Sequence, residues 1–229
     1  MRVESVWSIV RLSLLVGGVG TLAVLPVAFL LAYALARGRF PGRTLLDALI
    51  HLPLVVPPVV TGWVLLIAFA PAGPIGAPLE RWFGVTLLFR WTGAALAAAV
   101  MALPLAVRAI RLSLEAVDRR LEDAARTLGA GRWRTFRTVT LPLCWPGVLA
   151  GATLAFARAL GEFGATITFV SNVPGETETL PLAIYAALQR PGGEELVWKL
   201  AAISVAISLV ALLVSEWLAR RAGRGVHVL

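Results

Sequence analysis

Cysteine occurs once in these 229 residues, at Cys144, and histidine twice, at His51 and His227. A lone cysteine cannot pair within the chain, and no other soft ligand stands at metal-binding spacing, so neither a disulfide framework nor a zinc site is expected. A GxxxxGK[ST] phosphate loop and an HExxH helix are both missing. No catalytic residues are therefore assigned, and the chain is not expected to hydrolyse ATP or hold a catalytic metal by itself. An intramembrane serine protease stays as the enzyme alternative. Charge is scarce: 15% of residues are charged, against 59% hydrophobic and a mean hydropathy of +0.83. This excludes a soluble domain of ordinary composition. Lysine is nearly absent, since Lys199 stands alone beside the arginines that set the net charge of +8. In a soluble chain that excess would point to nucleic acid; in a chain this apolar it orients helices in a membrane.

What is abundant is uncharged apolar sequence. A bilayer core of about 30 Å needs roughly 20 helical residues at ~1.5 Å each. Five such runs exist: Leu12 to Ala36, about Leu45 to Ala70, Trp91 to Val107, about Leu141 to Leu160, and Leu196 to Leu218. All five are expected to be helices, because an open strand leaves its backbone unsatisfied in lipid, so the fold class is all-α and polytopic. Ala34 to Ala36 reads alternatively as a signal-peptidase site. The long first run and its flank of Arg37, Arg39 and Arg43 favour a retained span.

Orientation follows from the arginines. With the N-terminus outside, the inner segments hold Arg37, Arg39 and Arg43, eight arginines from Arg108 to Arg137, and Arg220, Arg221 and Arg224. Six basic residues (Arg2, Arg11, Arg81, Arg90, Arg190 and Lys199) lie outside, and Arg158 falls within the fourth run. The positive-inside rule then puts the N-terminus out and the C-terminus in. With eight residues after Arg221, no cytoplasmic regulatory domain is expected.

The most charged stretch, EDAARTLGAGRWRTFRTVTLP at 122–142, then lies in the cytoplasm. Val117, Leu121, Ala124, Ala125 and Leu128 share one helical face, with Asp118, Arg119, Glu122, Asp123 and Arg126 in the other sectors. Gly129-Ala130-Gly131 breaks that helix, Trp133, Phe136 and Val139 suggest a second amphipathic turn, and Pro142 opens the fourth span. Two readings fit this helix, bend and helix across the cytoplasmic mouth. It rests on lipid through its arginines and Trp133, or it docks a partner.

The spacing Asp123-Ala124-Ala125, Gly129, Val139 and Leu141-Pro142 resembles the EAA loop of ABC-importer permeases, with Asp123 in place of the family's Glu and Val139 in place of Ile. The segments HLPLVVPPVVTGW, AVMALPLAVRAIRLSLEAVD, ARALGEFGATITFVSNVPGETETLPLAIY and SEWLARR extend the likeness to the permease family of molybdate importers. Sulfate and thiosulfate permeases share a similar GEFGAT stretch. The resemblance implies a type I ABC importer permease fold, a single transmembrane domain over 1–229 with its coupling loop at about 118–142, and residence in a bacterial inner membrane. It also implies two copies of this chain, two cytoplasmic ATPase subunits that use ATP and Mg, an external oxyanion-binding protein, and no cofactor on this chain. The coupling residues would be Glu122 or Asp123 for the acidic contact, with Ala124, Ala125, Gly129, Val139, Leu141 and Pro142. A free-standing secondary transporter or channel is the rival, with Arg158 and Glu162 as a relay.

Beside the resemblance stand the residues themselves. Gly147, Gly151, Ala155 and Ala159 form a small-residue stripe that lets another helix approach and can line a two-fold interface. Pro53, Pro57, Pro58 and Gly62 interrupt the second span, as a simple kink or beside a water-filled path. Arg158 and Glu162 are spaced to pair along one face, either structurally or at the anion. Phe163, Thr166, Thr168, Ser171 and Asn172 follow as candidates for an outer gate. The outer segment 161–199 carries five glutamates against Arg190 and Lys199, a negative lip that does not favour anion capture from solution. Within it Leu180 to Gln189 reads as a helix, with Thr179 as N-cap and Gly192-Gly193 as stop.

Overall fold

The computed structural model describes residues 3–224, and among these there are helices and turns but no strand. Arg2 and His227 lie outside the described residues. Helix α1 runs Val3–Arg37 and ends where Gly38 and Pro41 interrupt it; α2 is Arg43–Val55 and α3 is Pro58–Phe69. A short α4, Gly76–Phe83, precedes α5, Trp91–Ala116. Then come α6 (Arg119–Thr127), α7 (Arg132–Thr135), a π-helical turn (Phe136–Thr140) and α8 (Leu141–Leu160). Helices α9 (Gly164–Val170), α10 (Leu180–Leu188) and α11 (Glu194–Arg224) complete the order.

Four of these segments are long and apolar enough to cross a membrane: Val6–Arg37, Trp91–Ala116, Arg132–Leu160 and Glu194–Val214. The expected second span is not one helix. Between its halves α2 and α3 the chain bends by 113°. Pro57 and Pro58 cannot donate to the ladder, and Val56, before a proline, takes the extended backbone such residues prefer. Counted as one span, the bent pair makes five.

Helix α5 sits at the centre because small residues crowd its first half and recur beyond it. Ala94, Ala97, Ala98, Ala102 and Ala106 are buried, and neighbours approach to backbone distance. On one side is α1, where a Cβ added to Gly20 would stand 2.9 Å from the Ala95 carbonyl. On the other is α8. A Cβ on Gly147 would collide with Ser113, and one on Gly151 would press on Ile110 and the Ala106 carbonyl. The stripe of the fourth span is therefore consumed inside the chain, against α5, rather than facing a two-fold axis. Close packing of small residues is what holds helices together where lipid supplies no hydrophobic drive.

Three apolar clusters stack along this framework. One joins α1, α2, α5 and α8 through Val24, Leu35, Ile50, Val107, Ile110 and Cys144. A second joins α1, α3, α5 and α9 through Val16, Leu65, Met101 and Phe169. The third sets Ile9 and Val10 of α1 against Leu180 and Ala183 of α10 and Leu200 of α11. Helix α10 starts at the expected residue, but Thr179 does not cap it. Its first N–H, from Leu180, donates to the Ser13 hydroxyl of α1 at 2.7 Å, and the buried Thr179 Oγ1 has no partner.

Candidate functional site

The charged stretch folds in outline as the spacing predicts, except that Glu122, expected among the solvated charges, is buried. Asp118 caps α6 by accepting the Arg120 N–H at 2.9 Å. The helix closes with Gly129 at φ 86°, in the left-handed region, while the Gly129 N–H bonds to the Arg126 carbonyl and the Ala130 N–H to the Ala125 carbonyl. These bonds satisfy carbonyls left over at a helix end. After Gly131 the chain does not pause before the fourth span: α7, the π turn and α8 form one rod, Arg132–Leu160. Pro142, in the first turn of α8, is accommodated without a break.

The apolar face of α6 is turned outward. Leu121 is 50% exposed and Leu128 88% exposed, whereas Glu122 is buried. Glu122 Oε1 accepts from Arg37 Nη2 and from Thr140 Oγ1, each at 2.8 Å, and Arg37 also reaches the Val117 carbonyl at 3.4 Å. One carboxylate oxygen thus ties together the end of α1, the approach to α6 and the π turn. Glu122 is not available to a partner, which leaves Asp123, exposed and 3.5 Å from Arg126, as the acidic group on the outer face. Ala124 is exposed, Ala125, Val139 and Leu141 are half-buried, and Pro142 is exposed. Solvent-facing Leu121 and Leu128 among arginines form the kind of apolar surface that marks an interaction site.

At the other end of α8, Arg158 Nη1 lies 2.5 Å from Glu162 Oε2, and Glu162 Oε1 accepts the Ala165 N–H at 2.8 Å. Glu162 is buried and caps the start of α9, so the pair has a structural task. Helix α9 carries the rest of the proposed gate. Thr166 is buried, and the Thr168 hydroxyl donates to the Gly164 carbonyl of its own helix at 2.9 Å. Phe163 packs on Tyr185 of α10, Asn172 is half-buried with its Oδ1 unpartnered, and Ser171 is exposed with φ 60°. A positive φ is strained for a residue with a Cβ. The α9 backbone is gripped by α3, because a Cβ on Gly62 would lie 2.5 Å from the Ala165 carbonyl.

Sequence reasoning missed α4, α9 and a polar cluster joining α2 to α5. There Asp47 accepts from Arg111 Nη1 at 2.9 Å, His51 Nδ1 lies 2.8 Å from the Asp47 carbonyl, and Arg111 Nε donates to Glu115 at 2.8 Å. The i,i+4 spacings Asp47/His51 and Arg111/Glu115 were visible; the contact between the two helices was not.

Residues 25–224 match the family described as binding-protein-dependent transport system inner membrane component. The molybdenum transport system permease protein ModB of Escherichia coli strain K12 is 58% identical over 222 residues, covering 95% of this chain and 97% of that protein. Its counterpart in Haemophilus influenzae is 56% identical, covering 93% of each. The sulfate transport system permease protein CysT of Escherichia coli is 39% identical, covering 86% of this chain and 70% of that protein. Among solved structures, a bacterial ABC transporter involved in import of the acidic polysaccharide alginate superposes with TM-score 0.77 at 18% identity, covering 96% and 80%. The inward-facing MetNI methionine ABC transporter gives 0.69 at 18% identity, covering 96% and 95%.

Proposed function

The chain belongs to the family of binding-protein-dependent transport system inner membrane components, and from that premise we propose that it is the membrane-spanning subunit of an ATP-driven molybdate importer. The observation that carries the substrate is the identity gap: 58% to a molybdenum permease over nearly its whole length, against 39% to a sulfate permease over a smaller share. Tungstate, of like charge and geometry, belongs to the same substrate class. The chain is a multi-pass inner-membrane protein of all-α fold.

In this reading residues 1–229 act as one transmembrane domain, N-terminus outside and C-terminus in the cytoplasm. Two copies assemble with two ATPase subunits, which bind the ATP and Mg, and an external binding protein delivers the anion. Helix α6 is the coupling helix. Leu121, Asp123, Ala124 and Leu128 enter a groove of the ATPase, and Gly129 sets the exit of the chain from it. Glu122 positions this element from within. The unbroken rod from Arg132 to Leu160 supports direct transmission to the outer end, where α9 and Ser171 form the gate. Arg158 and Glu162 hold that gate in shape and need not touch the anion.

Uptake tests the substrate. In cells lacking their own permease, this chain with its ATPase and binding protein should restore molybdate uptake and leave sulfate uptake unchanged. Sulfate uptake without molybdate uptake would reassign the chain to the sulfate branch.

A further inference from the structure

Between α1 and the rod that starts at Arg132 lie two depressions of about 690 and 440 Å³. They share Pro26, Phe29 and Phe136 and so form one groove. Its wall is a set of packed rings: Phe136 lies 5.9 Å from Phe29, 5.7 Å from Tyr33 and 5.5 Å from Trp133. One end holds Tyr33, Arg132 and Trp133; the other holds Leu22, Trp145 and Val148 and is almost wholly apolar. Leu30, Trp133 and Trp145 are left 69%, 68% and 47% exposed along it.

The polarity of this groove matches one leaflet. From Tyr33 to Leu22 the α1 wall is about 16 Å long at ~1.5 Å per residue, close to half of a ~30 Å hydrocarbon core. Tyr33, Trp133 and Arg132 sit together at one end, the pattern of a headgroup boundary, and apolar side chains with the Trp145 indole line the rest. The Arg132 side chain is exposed and makes no ion pair or hydrogen bond among the described residues. It stands at the arginine-rich end, where an anionic leaflet is most attractive to it. A groove that is apolar along its length and cationic at one end fits an acyl chain with a phosphate at its head.

We infer that this groove is a site for one anionic phospholipid, its phosphate against Arg132 and an acyl chain laid over Phe29 and Phe136 towards Trp145. The inference needs only that the chain lies in a bilayer, whatever anion it carries. A lipid here would splint α1 to the π turn.

The test uses the assembled transporter in vesicles of brominated phosphatidylglycerol or brominated phosphatidylcholine, reading the fluorescence lost at Trp133 as the difference between the parent and Trp133→Phe. Phosphatidylglycerol should be preferred at Trp133 by about fivefold, equivalent to ~1 kcal/mol for one arginine at an anionic surface, and less at high salt. Arg132→Ala, an exposed change that leaves the fold intact, should bring the preference to near unity, while Arg81→Ala should not alter it. Equal quenching by both lipids, or a preference that survives Arg132→Ala, overturns the site. Absence of quenching at Trp133 by either lipid also overturns it, and shows that a second copy or the ATPase covers the groove.

Discussion

Removing the Glu122 carboxylate separates a positioning role from a docking role. In Glu122→Ala the guanidinium of Arg37 loses its ion pair and Thr140 loses its acceptor, at a place where the two charged side chains are 12% and 11% exposed. Stranding one member of a buried pair costs ~3–5 kcal/mol. Arg37 keeps its bond to the Val117 carbonyl and a little water, so the lower end applies, about 3 kcal/mol. At ~2–4 °C per kcal/mol for a chain of this size, the melting temperature in detergent should fall by about 6–12 °C. Glu122→Gln is milder. Both bonds land on Oε1, and an amide oxygen can keep them, so the loss is that of charge assistance, ~1–2 kcal/mol. Arg37→Gln combined with Glu122→Gln should lose less than the two single changes added together. Asp123→Ala, exposed beside Arg126, should leave melting within ~0.5 kcal/mol of the parent and lower ATPase stimulation by the loaded binding protein. The reasoning fails if Glu122→Ala melts with the parent while Asp123→Ala unfolds early, for then the buried and exposed carboxylates have been exchanged.

Gly129→Val meets no neighbour, since a Cβ there finds open space, so its penalty of ~1 kcal/mol or more is that of a left-handed backbone alone. Membrane levels should stay near normal while uptake and uptake-linked ATP hydrolysis fail together in proteoliposomes; normal uptake would refute the coupling assignment. Gly147→Ala must displace Ser113 and should loosen α5 from α8, lowering melting temperature by several degrees, whereas Gly18→Ala, with nothing near it, should be silent. Glu178, in the segment between α9 and α10, has its carboxyl raised above the ordinary glutamate range by burial, partly offset by Arg190. A raised acid means the folded state holds its proton longer, so stability falls as pH rises from the unfolded value, about 4.3, through the folded one. Glu178→Gln should flatten that part of a melting-versus-pH curve; an unchanged slope would show that the burial has no effect on its proton. A cysteine at position 130 in a Cys144→Ser background should react with an impermeant maleimide from the cytoplasmic side, and labelling from the outside alone would invert the topology.

Length and hydropathy made the spans legible, because crossing a bilayer leaves a helix few alternatives to some 20 uncharged residues. The break at Val56 to Pro58 was legible as a break but not as a 113° bend, since proline removes donors without stating how far the halves turn. Periodicity located α6 and its apolar face, and placed Glu122 among the exposed charges where it is in fact buried. Exposed Leu121 and Leu128 fit a face that meets lipid or a partner, whereas Glu122 is buried by contacts that periodicity does not report. Nothing local marks Glu122, because its partners Arg37 and Thr140 are 85 and 18 residues away. The Ser13 bond to the start of α10 spans 167 residues and was out of reach for the same reason. The Gly147 to Ala159 stripe was correctly read as a contact surface, yet a stripe carries no label for its occupant.

That occupant changes which parts can move. With the stripe of α8 filled by α5, and α5 equally close to α1, the three long helices are locked by contacts in which even a methyl group collides. Packing of this kind is bistable rather than elastic, so displacement should leave these contacts intact and appear where packing is sparse. A push on α6 reaches this block by two routes, the covalent one through α7 into α8 and the ionic one through Glu122 to Arg37 at the end of α1. Helix α3 sits differently. It is joined to α2 by a two-residue break and clasped to α9 through Gly62, and its Val59, Trp63 and Ile67 face outward without cover. Helix α9 belongs to the block, because Phe169 and Val170 are buried with Ala97 and Met101 of α5 and a Cβ on Gly93 would lie 2.7 Å from Val170, so bending in the alternating-access cycle is easiest at the two-residue break Val56-Pro57, ahead of the uncovered face of α3.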